Sequence, residues 1–368
     1  MPIAKLAEVA ELNPPLPASL SDGEVVSFMP MSAVDAASVS AVDRETRPYS
    51  EVRKGYTPFI DGDVLVAKIT PCFENGKIAH AHLTRRYGFG STEFHVVRPR
   101  ADRADARYLV HYLRQDRIRL QGESRMTGSA GQRRVPEHFL AGLSVPVPPL
   151  PEQRRIAEIL DKADALRAKR RAALAQLDAL TRSIFLDMFG DPATNPKGMN
   201  KLPLGDLIKL RSGDFLPATK MVEGGPYPVL GGNGINGFHD RYMFEDPQIV
   251  IGRVGVYCGC VHSSPPMSWV TDNALYVSER SPQLRFEYLV HALTHARLNQ
   301  YASQSGQPLV SGSRIYAVAI LVPPQERQLA FQARIASVRD LRRLNGAAQS
   351  ELDALFAALQ NRAFRGAL

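Results

Sequence analysis

The chain has 368 residues, 44% hydrophobic and 22% charged, an ordinary balance for a folded protein and enough length for two or three domains with cores. Its net charge of +8 and pI near 9.4 favour a polyanionic partner, because cations that neutralise phosphates release counterions. Three cysteines, Cys72, Cys258 and Cys260, are too few for a disulfide scaffold; with no apolar signal core at the start and no run near the roughly 18 apolar residues that cross a bilayer, a soluble cytoplasmic protein is expected.

In chain order, the first feature is Asn13-Pro14-Pro15-Leu16, which resembles the Asn-Pro-Pro-aromatic motif that holds a target amine in amino-methyltransferases. Leu16 replaces the aromatic, and no Gly-rich strand–helix turn for a methyl donor precedes it, so it reads as a turn. Asp61 and Asp63 stand near Lys68, but a nuclease centre needs clustered carboxylates that hold Mg²⁺ and position water. Here they read as a turn entering the strand Asp63-Val64-Leu65-Val66-Ala67. Ser91-Thr92-Glu93-Phe94-His95-Val96-Val97 follows, then a helix holding Tyr108-Leu109-Val110-His111. A loop over 125–134 is rich in glycine, hydroxyls and cations, and Val145-Pro146-Val147-Pro148-Pro149 closes the segment. A long helix is predicted next, with Ile156, Leu160, Ala163, Leu166, Leu174, Leu177, Leu180, Ile184 and Met188 stepping mostly by three and four and Arg170 interrupting the stripe. Phe189-Gly190-Asp191-Pro192 stops it.

The same plan then returns. Gln248-Ile249-Val250-Ile251-Gly252 reads as a strand, and Cys258, Cys260 and His262 would share one face of a β-run by alternation. Their spacing is tighter than in structural zinc pairs and no fourth ligand is evident, so no metal is expected. Thr271-Asp272-Asn273-Ala274-Leu275-Tyr276-Val277 answers the stretch beginning at Ser91, and Tyr288-Leu289-Val290-His291 repeats the helical tetrapeptide. Gly306-Gln307 answers Gly131-Gln132, Val322-Pro323-Pro324 answers Val147-Pro148-Pro149, and Leu352-Asp353-Ala354-Leu355 answers Leu177-Asp178-Ala179-Leu180. In-order matches with small drifts in offset mark a duplicated architecture. A second long helix carries Val338, Leu341, Asn345, Ala348, Leu352, Leu355 and Leu359, with Asn345 a polar seam position that helps fix register. Amphipathic helices packed on their own domains are the plainer alternative. At about 38 residues each, or roughly 55 Å, the helices overrun a domain of about 150 residues, and each is expected to take the other as partner. No Ser–His–Asp arrangement and no phosphate-binding Gly–Lys loop is seen.

Pro149-Leu150-Pro151-Glu152-Gln153-Arg154-Arg155-Ile156-Ala157-Glu158-Ile159-Leu160-Asp161 resembles the start of the central spacer helix in specificity subunits of type I restriction–modification enzymes, with a weaker echo over Pro323–Phe331. Residues 67–79, 227–238 and 251–255 resemble target-recognition domains of that family, so the resemblance covers nearly the whole chain. It implies an α+β protein with a pseudo-twofold internal repeat: two mixed α/β target-recognition domains separated by two long antiparallel coiled-coil helices. The expected segments are a first recognition domain over 1–148, a spacer helix over 149–190, a second recognition domain over 191–322 and a second spacer helix over 323–368. The resemblance also implies a non-catalytic subunit without cofactor. Each domain would read half of a split double-stranded DNA site, two methyltransferase subunits would dock on the helices, and restriction subunits would join the assembly. A rigid spacer under about 55 Å caps the centre-to-centre gap at about 16 base pairs. The second helix opens with Gln325-Glu326-Arg327 in place of Glu152-Gln153-Arg154, which implies unequal docking surfaces.

The residues expected on DNA in the first domain are Lys68, Thr70, Asn75, Lys77, Arg85, Arg86, Ser91 and Thr92, with Arg125, Ser129, Gln132, Arg133 and Arg134 of the glycine-rich loop. In the second they are Asn233, Asn236, Arg241, Arg253, Tyr257, Ser303, Ser305, Gln307 and Arg314. Arginine would pair with guanine and Asn or Gln with adenine, while glycines let backbone approach phosphate. Two other classes fit parts of the pattern: a self-contained methyltransferase, which would bind methyl donor alone, and a coiled-coil adaptor, which would leave no DNA footprint.

Overall fold

Four helices carry the architecture in the computed structural model: α1 (Ala106–Leu113), α2 (Leu150–Phe189), α3 (Phe286–His295) and α4 (Gln325–Arg365). Residues 1–17, 19–129, 131–303 and 306–368 are described. The chain divides into unit 1, Met1–Ala173 with Asn345–Leu368, and unit 2, Leu174–Leu344, so each long helix begins in one unit and ends in the other. No helix among the described residues is long and apolar enough to cross a membrane.

In unit 1 a five-stranded sheet runs in the order Ala10–Leu12, Phe94–Pro99, Val64–Ala67, Ile78–His82, Ser40–Val42. A four-stranded sheet, Glu45–Pro48, Val25–Met29, Tyr87–Gly90, Thr57–Ile60, lies in the same unit. The strand Val64–Ala67 is apolar throughout because it is covered on both faces. Val64 and Val66 enter the core that holds α1, while Leu65 and Ala67 enter a second core with Phe59 and Phe94. In unit 2 a sheet in the order Ile208–Ser212, Ala274–Arg280, Ile249–Gly252, Val261–Ser263 repeats this partition. Ile249 and Ile251 face the core with α3, and Val250 faces a smaller one with Leu230. A second sheet of this unit joins Gly234–His239, Tyr227–Gly231 and Trp269–Val270.

The sequence repeat is a repeat of contacts. In unit 1 Ile3–Lys5 pairs with Ser144–Pro146, and in unit 2 Lys201–Pro203 pairs with Ala319–Leu321. Tyr108 in α1 donates its hydroxyl proton to the Pro146 carbonyl at 2.8 Å, and Tyr288 in α3 donates to the Leu321 carbonyl at 2.7 Å. Burial pushes both phenols well above the usual tyrosine range, so they stay neutral donors.

Buried Gln153, in the first turn of α2, accepts from the Asp105 amide and donates to the Arg103 and Pro148 carbonyls, each at 2.9 Å. Gln328, in the first turn of α4, accepts from the Arg285 amide at 2.7 Å and donates to the Gln283 and Pro323 carbonyls at 2.8 Å. Gln328, not Gln325, is therefore the counterpart of Gln153. Set in this register, Ile156 and Leu160 correspond to Phe331 and Ile335, all buried. The glutamine is thus repeated, while Glu152 and Arg154 correspond to Arg327 and Leu329, so the difference between the two helix starts lies at the flanking positions.

Helices α2 and α4 pack antiparallel: the start of α2 lies with the end of α4 in unit 1, and the end of α2 with the start of α4 in unit 2. Phe364 of α4 meets Tyr108 and Tyr112 at ring-centroid distances of 5.2 and 5.4 Å. Phe189 of α2 meets Tyr288 at 4.9 Å and Phe331 at 5.2 Å. Each helix stops at a glycine in the left-handed region, Gly190 at φ 79 and Gly366 at φ 77. The middle of the seam differs from the expected stripe. Leu166, Leu180, Leu341 and Leu355 face solvent, at 44–54% exposure. In their place Arg167 donates to Asp353 at 2.6 Å and Asp164 at 2.8 Å, and Arg170 donates to Asn345 at 2.5 Å. Asn345 thus holds the polar seam position expected of it, and Ala348, Leu352 and Leu359 of the expected stripe stay partly buried, while ion pairs take the place of the exposed leucines.

The Cys258, Cys260, His262 alternation also breaks. A 3-10 turn over Gly255–Tyr257 precedes Cys258, the strand covers only Val261–Ser263, and Cys258 is buried while Cys260 is exposed.

Candidate nucleic-acid interface

Each central strand ends in a cation, Lys68 after Val64–Ala67 and Arg253 after Ile249–Gly252. The backbone around these two residues is held identically. The Lys68 amide donates to the Glu93 carbonyl at 2.8 Å, its carbonyl accepts from the Val135 amide at 2.8 Å, and the Thr70 amide donates to the Arg133 carbonyl at 2.9 Å. In unit 2 the Arg253 amide donates to Asn273 at 3.0 Å, its carbonyl accepts from Val310 at 2.8 Å, and the Gly255 amide donates to Pro308 at 3.0 Å. Bridges Ile69–Arg134 and Val254–Leu309 repeat the pattern. This clamp draws the glycine-rich loop of each unit to the end of its central strand.

In unit 1 it gathers Lys68, Thr70, Ser91, Thr92 and the loop bearing Arg125, Ser129, Gln132, Arg133 and Arg134. Arg125, Ser129, Gln132 and Thr92 are exposed. Arg134 is a brace: it donates to both Glu93 carboxylate oxygens, at 2.9 and 2.7 Å, and this pairing holds the Glu93 carboxyl below its usual range. The Thr70 hydroxyl donates to Glu74 at 2.7 Å, and the Glu93 amide donates to the Ser91 hydroxyl oxygen at 3.2 Å. Lys68 lines a cleft of about 420 Å³ with Asn13, Pro14, Tyr56, His95 and Glu137. His95 donates from Nε2 to the Val135 carbonyl at 2.8 Å, and burial holds its imidazole below the ordinary value. Asn13, at φ 46, accepts from the Val96 amide at 2.9 Å and donates to Glu137 at 2.6 Å, so Asn-Pro-Pro is a turn that ties the cleft wall.

In unit 2 the Arg253 guanidinium donates to the Ser212 hydroxyl at 3.1 Å and the Asp272 carbonyl at 3.4 Å. Tyr257 is 47% exposed, four residues further on. Asn233 is exposed in the turn between Tyr227–Gly231 and Gly234–His239. That turn packs beside Arg253: a Cβ added to Gly232 would lie 3.4 Å from the Gly252 Cα. Asn236 covers Gly231, where a Cβ would meet its amide at 2.1 Å. The Ser303 hydroxyl accepts from the Leu309 amide at 3.0 Å, and Gln307 is exposed on the same loop. Ser305 lies outside the described residues.

Several expected residues fall elsewhere. Val64 pairs with His80 and Val66 with Ile78, so the chain leaves His82 at the opposite end of the strand from Lys68. Arg85 and Arg86 follow there, with the Arg85 amide on the Ser27 hydroxyl at 3.0 Å and the Arg86 guanidinium over the Tyr87 ring. Asp61 and Asp63 share that end: Asp61 accepts from the Leu83 amide at 2.8 Å, and buried Asp63 pairs with Arg98 at 2.8 Å. Asn75 lines a different cleft, with Arg114, Asp164 and Phe356, and Lys77 donates to the Met31 carbonyl at 3.2 Å. Arg241 is exposed beyond the end of the hairpin away from Asn233, and Arg314 is exposed on the short helix Gly312–Ile315. Sequence reading set Glu93 against Asn273 in the repeat but gave neither a role at this site. The match of Lys68 to Arg253, which would have supplied that role, is hidden from the tetrapeptide repeats by differences in loop length.

A family model described as type I restriction modification DNA specificity domain matches residues 14–176 and 196–340. The specificity subunit of the Escherichia coli type I restriction enzyme EcoAI is 40% identical over 179 residues, covering 47% of this chain and 30% of that protein. That of E. coli EcoEI is 41% identical over 158 residues, 43% of this chain and 26% of that protein. The E. coli EcoprrI specificity subunit is 32% identical over 202 residues, 51% of this chain and 50% of that protein. The matches thus span half or less of those relatives' lengths. Among solved structures, a type I restriction–modification S subunit from M. genitalium superposes with a TM-score of 0.62 at 13% identity, over 99% of this chain and 96% of that one. A chain from a type I R-M system gives 0.56 at 19% identity, over 100% and 98%. At such identities the likeness is one of fold.

Proposed function

Because this chain belongs to the type I restriction–modification DNA specificity family, we propose that it is the sequence-reading subunit of such a system, itself non-catalytic and without cofactor. Each unit reads one half of a split site in double-stranded DNA. The long helices carry two methyltransferase subunits, and restriction subunits join where the system cleaves. It works in the cytoplasm. The observation that carries this reading is the duplicated clamp, which sets a cation at the same backbone position in each unit and draws a polar, glycine-rich loop to it. The net charge of +8 supports it. Within the clamps, Lys68, Thr70, Ser91, Thr92, Arg125, Ser129, Gln132 and Arg133 in unit 1, and Asn233, Asn236, Arg253, Tyr257, Ser303 and Gln307 in unit 2, are the proposed contacts. Arg134 acts by bracing Glu93.

The test is single-molecule sequencing for methyladenine in cells that express the chain with its cognate methyltransferase subunit, against cells lacking either. A split motif that needs both chains, and loses one half when one unit is exchanged, is the expected result. Methylation by this chain alone would overturn the non-catalytic assignment.

A further inference from the structure

Val256 is 92% exposed, the most open of the large hydrophobic side chains among the described residues. The turn that presents it is fixed from below. Gly255 has φ 76, and the Cys258 amide donates back to the Gly255 carbonyl at 3.1 Å. A Cβ on Gly252 would come within 2.2 Å of the Tyr257 carbonyl, and one on Gly259 within 2.2 Å of the Asn299 amide, so backbone packs against backbone on both flanks. Cys258 is buried beneath, and the Gly255 amide is tied to Pro308. The valine is therefore held in solvent by a rigid mount, with Arg253 at its base and Tyr257 beside it.

The clamp defines the equivalent position in unit 1. Lys68 matches Arg253, Thr70 matches Gly255, and the next residue, Pro71, matches Val256. Pro71 is also exposed. Twice, then, an aliphatic tip stands three residues past a clamped cation.

Phosphate oxygens offer a valine no partner. The apolar group on a base edge in the major groove is the C5 methyl of thymine, and small aliphatic side chains contact it. The side chains that wedge between base steps are Phe, Leu, Ile, Met and Pro, whereas valine is short and stiff at χ1. On the reading that unit 2 binds DNA, we propose that Val256 recognises a thymine methyl in the half-site of that unit, while Arg253 anchors the neighbouring backbone.

The experiment uses the full chain with its methyltransferase subunit, a duplex carrying the sequenced motif, and a scrambled duplex. In the half-site that changes when unit 2 is exchanged, each thymine is replaced singly by deoxyuridine, which lacks only the methyl. One replacement is expected to weaken wild-type binding about fourfold, the worth of one methyl returned to water. Val256→Ala should bind the parent duplex about that much more weakly and ignore the same replacement. Val256→Ser, equally exposed, should do the same. A wild type indifferent to every replacement, a Val256→Ala variant that keeps the wild-type response, or a half-site without thymine would each overturn the proposal. If the wild type fails to distinguish motif from scrambled duplex, the DNA-reading function fails instead.

Discussion

Replacing Gln153 by Glu should destabilise unit 1 more than replacing it by Ala, although Glu is nearly isosteric. The glutamine accepts one hydrogen bond and donates two, all within 2.9 Å in a buried setting. Ala deletes all three and strands the Asp105 amide, at a cost of about 3 kcal/mol given roughly 1 kcal/mol net per bond and more for a stranded donor. Glu keeps the acceptor for Asp105 but turns its other oxygen on the Arg103 and Pro148 carbonyls. It must then either bury a charge among acceptors or take up a proton, so the loss should exceed that of Ala. Urea melts of the full chain give the ordering. Hydrogen exchange read by mass spectrometry should show the loss concentrated at 103–110 and 148–156, with unit 2 protected as before. The matching Gln328→Glu change should move the same signal to 283–289 and 323–331. A Gln153→Glu chain within about 1 kcal/mol of wild type would refute the view that these bonds fasten the helix to its unit.

Lys68→Ala and Arg253→Ala should each weaken DNA binding roughly uniformly across sequences and lower the salt slope by about 1, as expected for phosphate contacts; a changed motif without a changed slope would contradict that role. Leu160→Ala should cost about 2–5 kcal/mol, while Leu166→Gln, although on the expected stripe, should stay within about 0.5 kcal/mol, both read by thermal melts. Stability should fall with acidification in two stages. His80, His95 and His295 are held below the ordinary imidazole value mainly by burial, so the unfolded chain takes up protons first and stability declines below about pH 6.5. Glu93 is held low by Arg134, so its contribution is present above its unfolded value near 4.5 and is lost as pH falls toward its folded one. Glu93→Gln should remove part of the second stage.

The repeat was legible because Tyr-Leu-Val-His survives twice, and the reason it survives is visible: the tyrosine hydroxyl caps a strand and the leucine is fully buried in both units. Long helices followed from apolar steps of three and four behind Pro149 and Pro324, with Gly190 stopping the first. Their seam was legible only in part: Arg170 meets Asn345, the expected polar seam position, but Arg167 pairs with Asp164 and Asp353, which apolar periodicity cannot detect. Loops were harder. Arg85-Arg86 and Arg133-Arg134 look alike as letters, yet strand register sends one pair to the far end of the sheet, while the other is brought to Lys68 by bonds across more than sixty positions.

The way α4 ends has a consequence for synthesis. Unit 1 takes Ala363 and Phe364 into its core beside Tyr108 and Tyr112, yet these residues lie roughly 190 positions after Ala173, so at about 5–20 residues per second they leave the ribosome roughly 10–40 s later. Throughout that interval the nascent first unit has its strands and α1 but an open apolar slot. A chain built this way finishes its first half last, and a holding chaperone at the ribosome exit would shield the slot until α4 arrives.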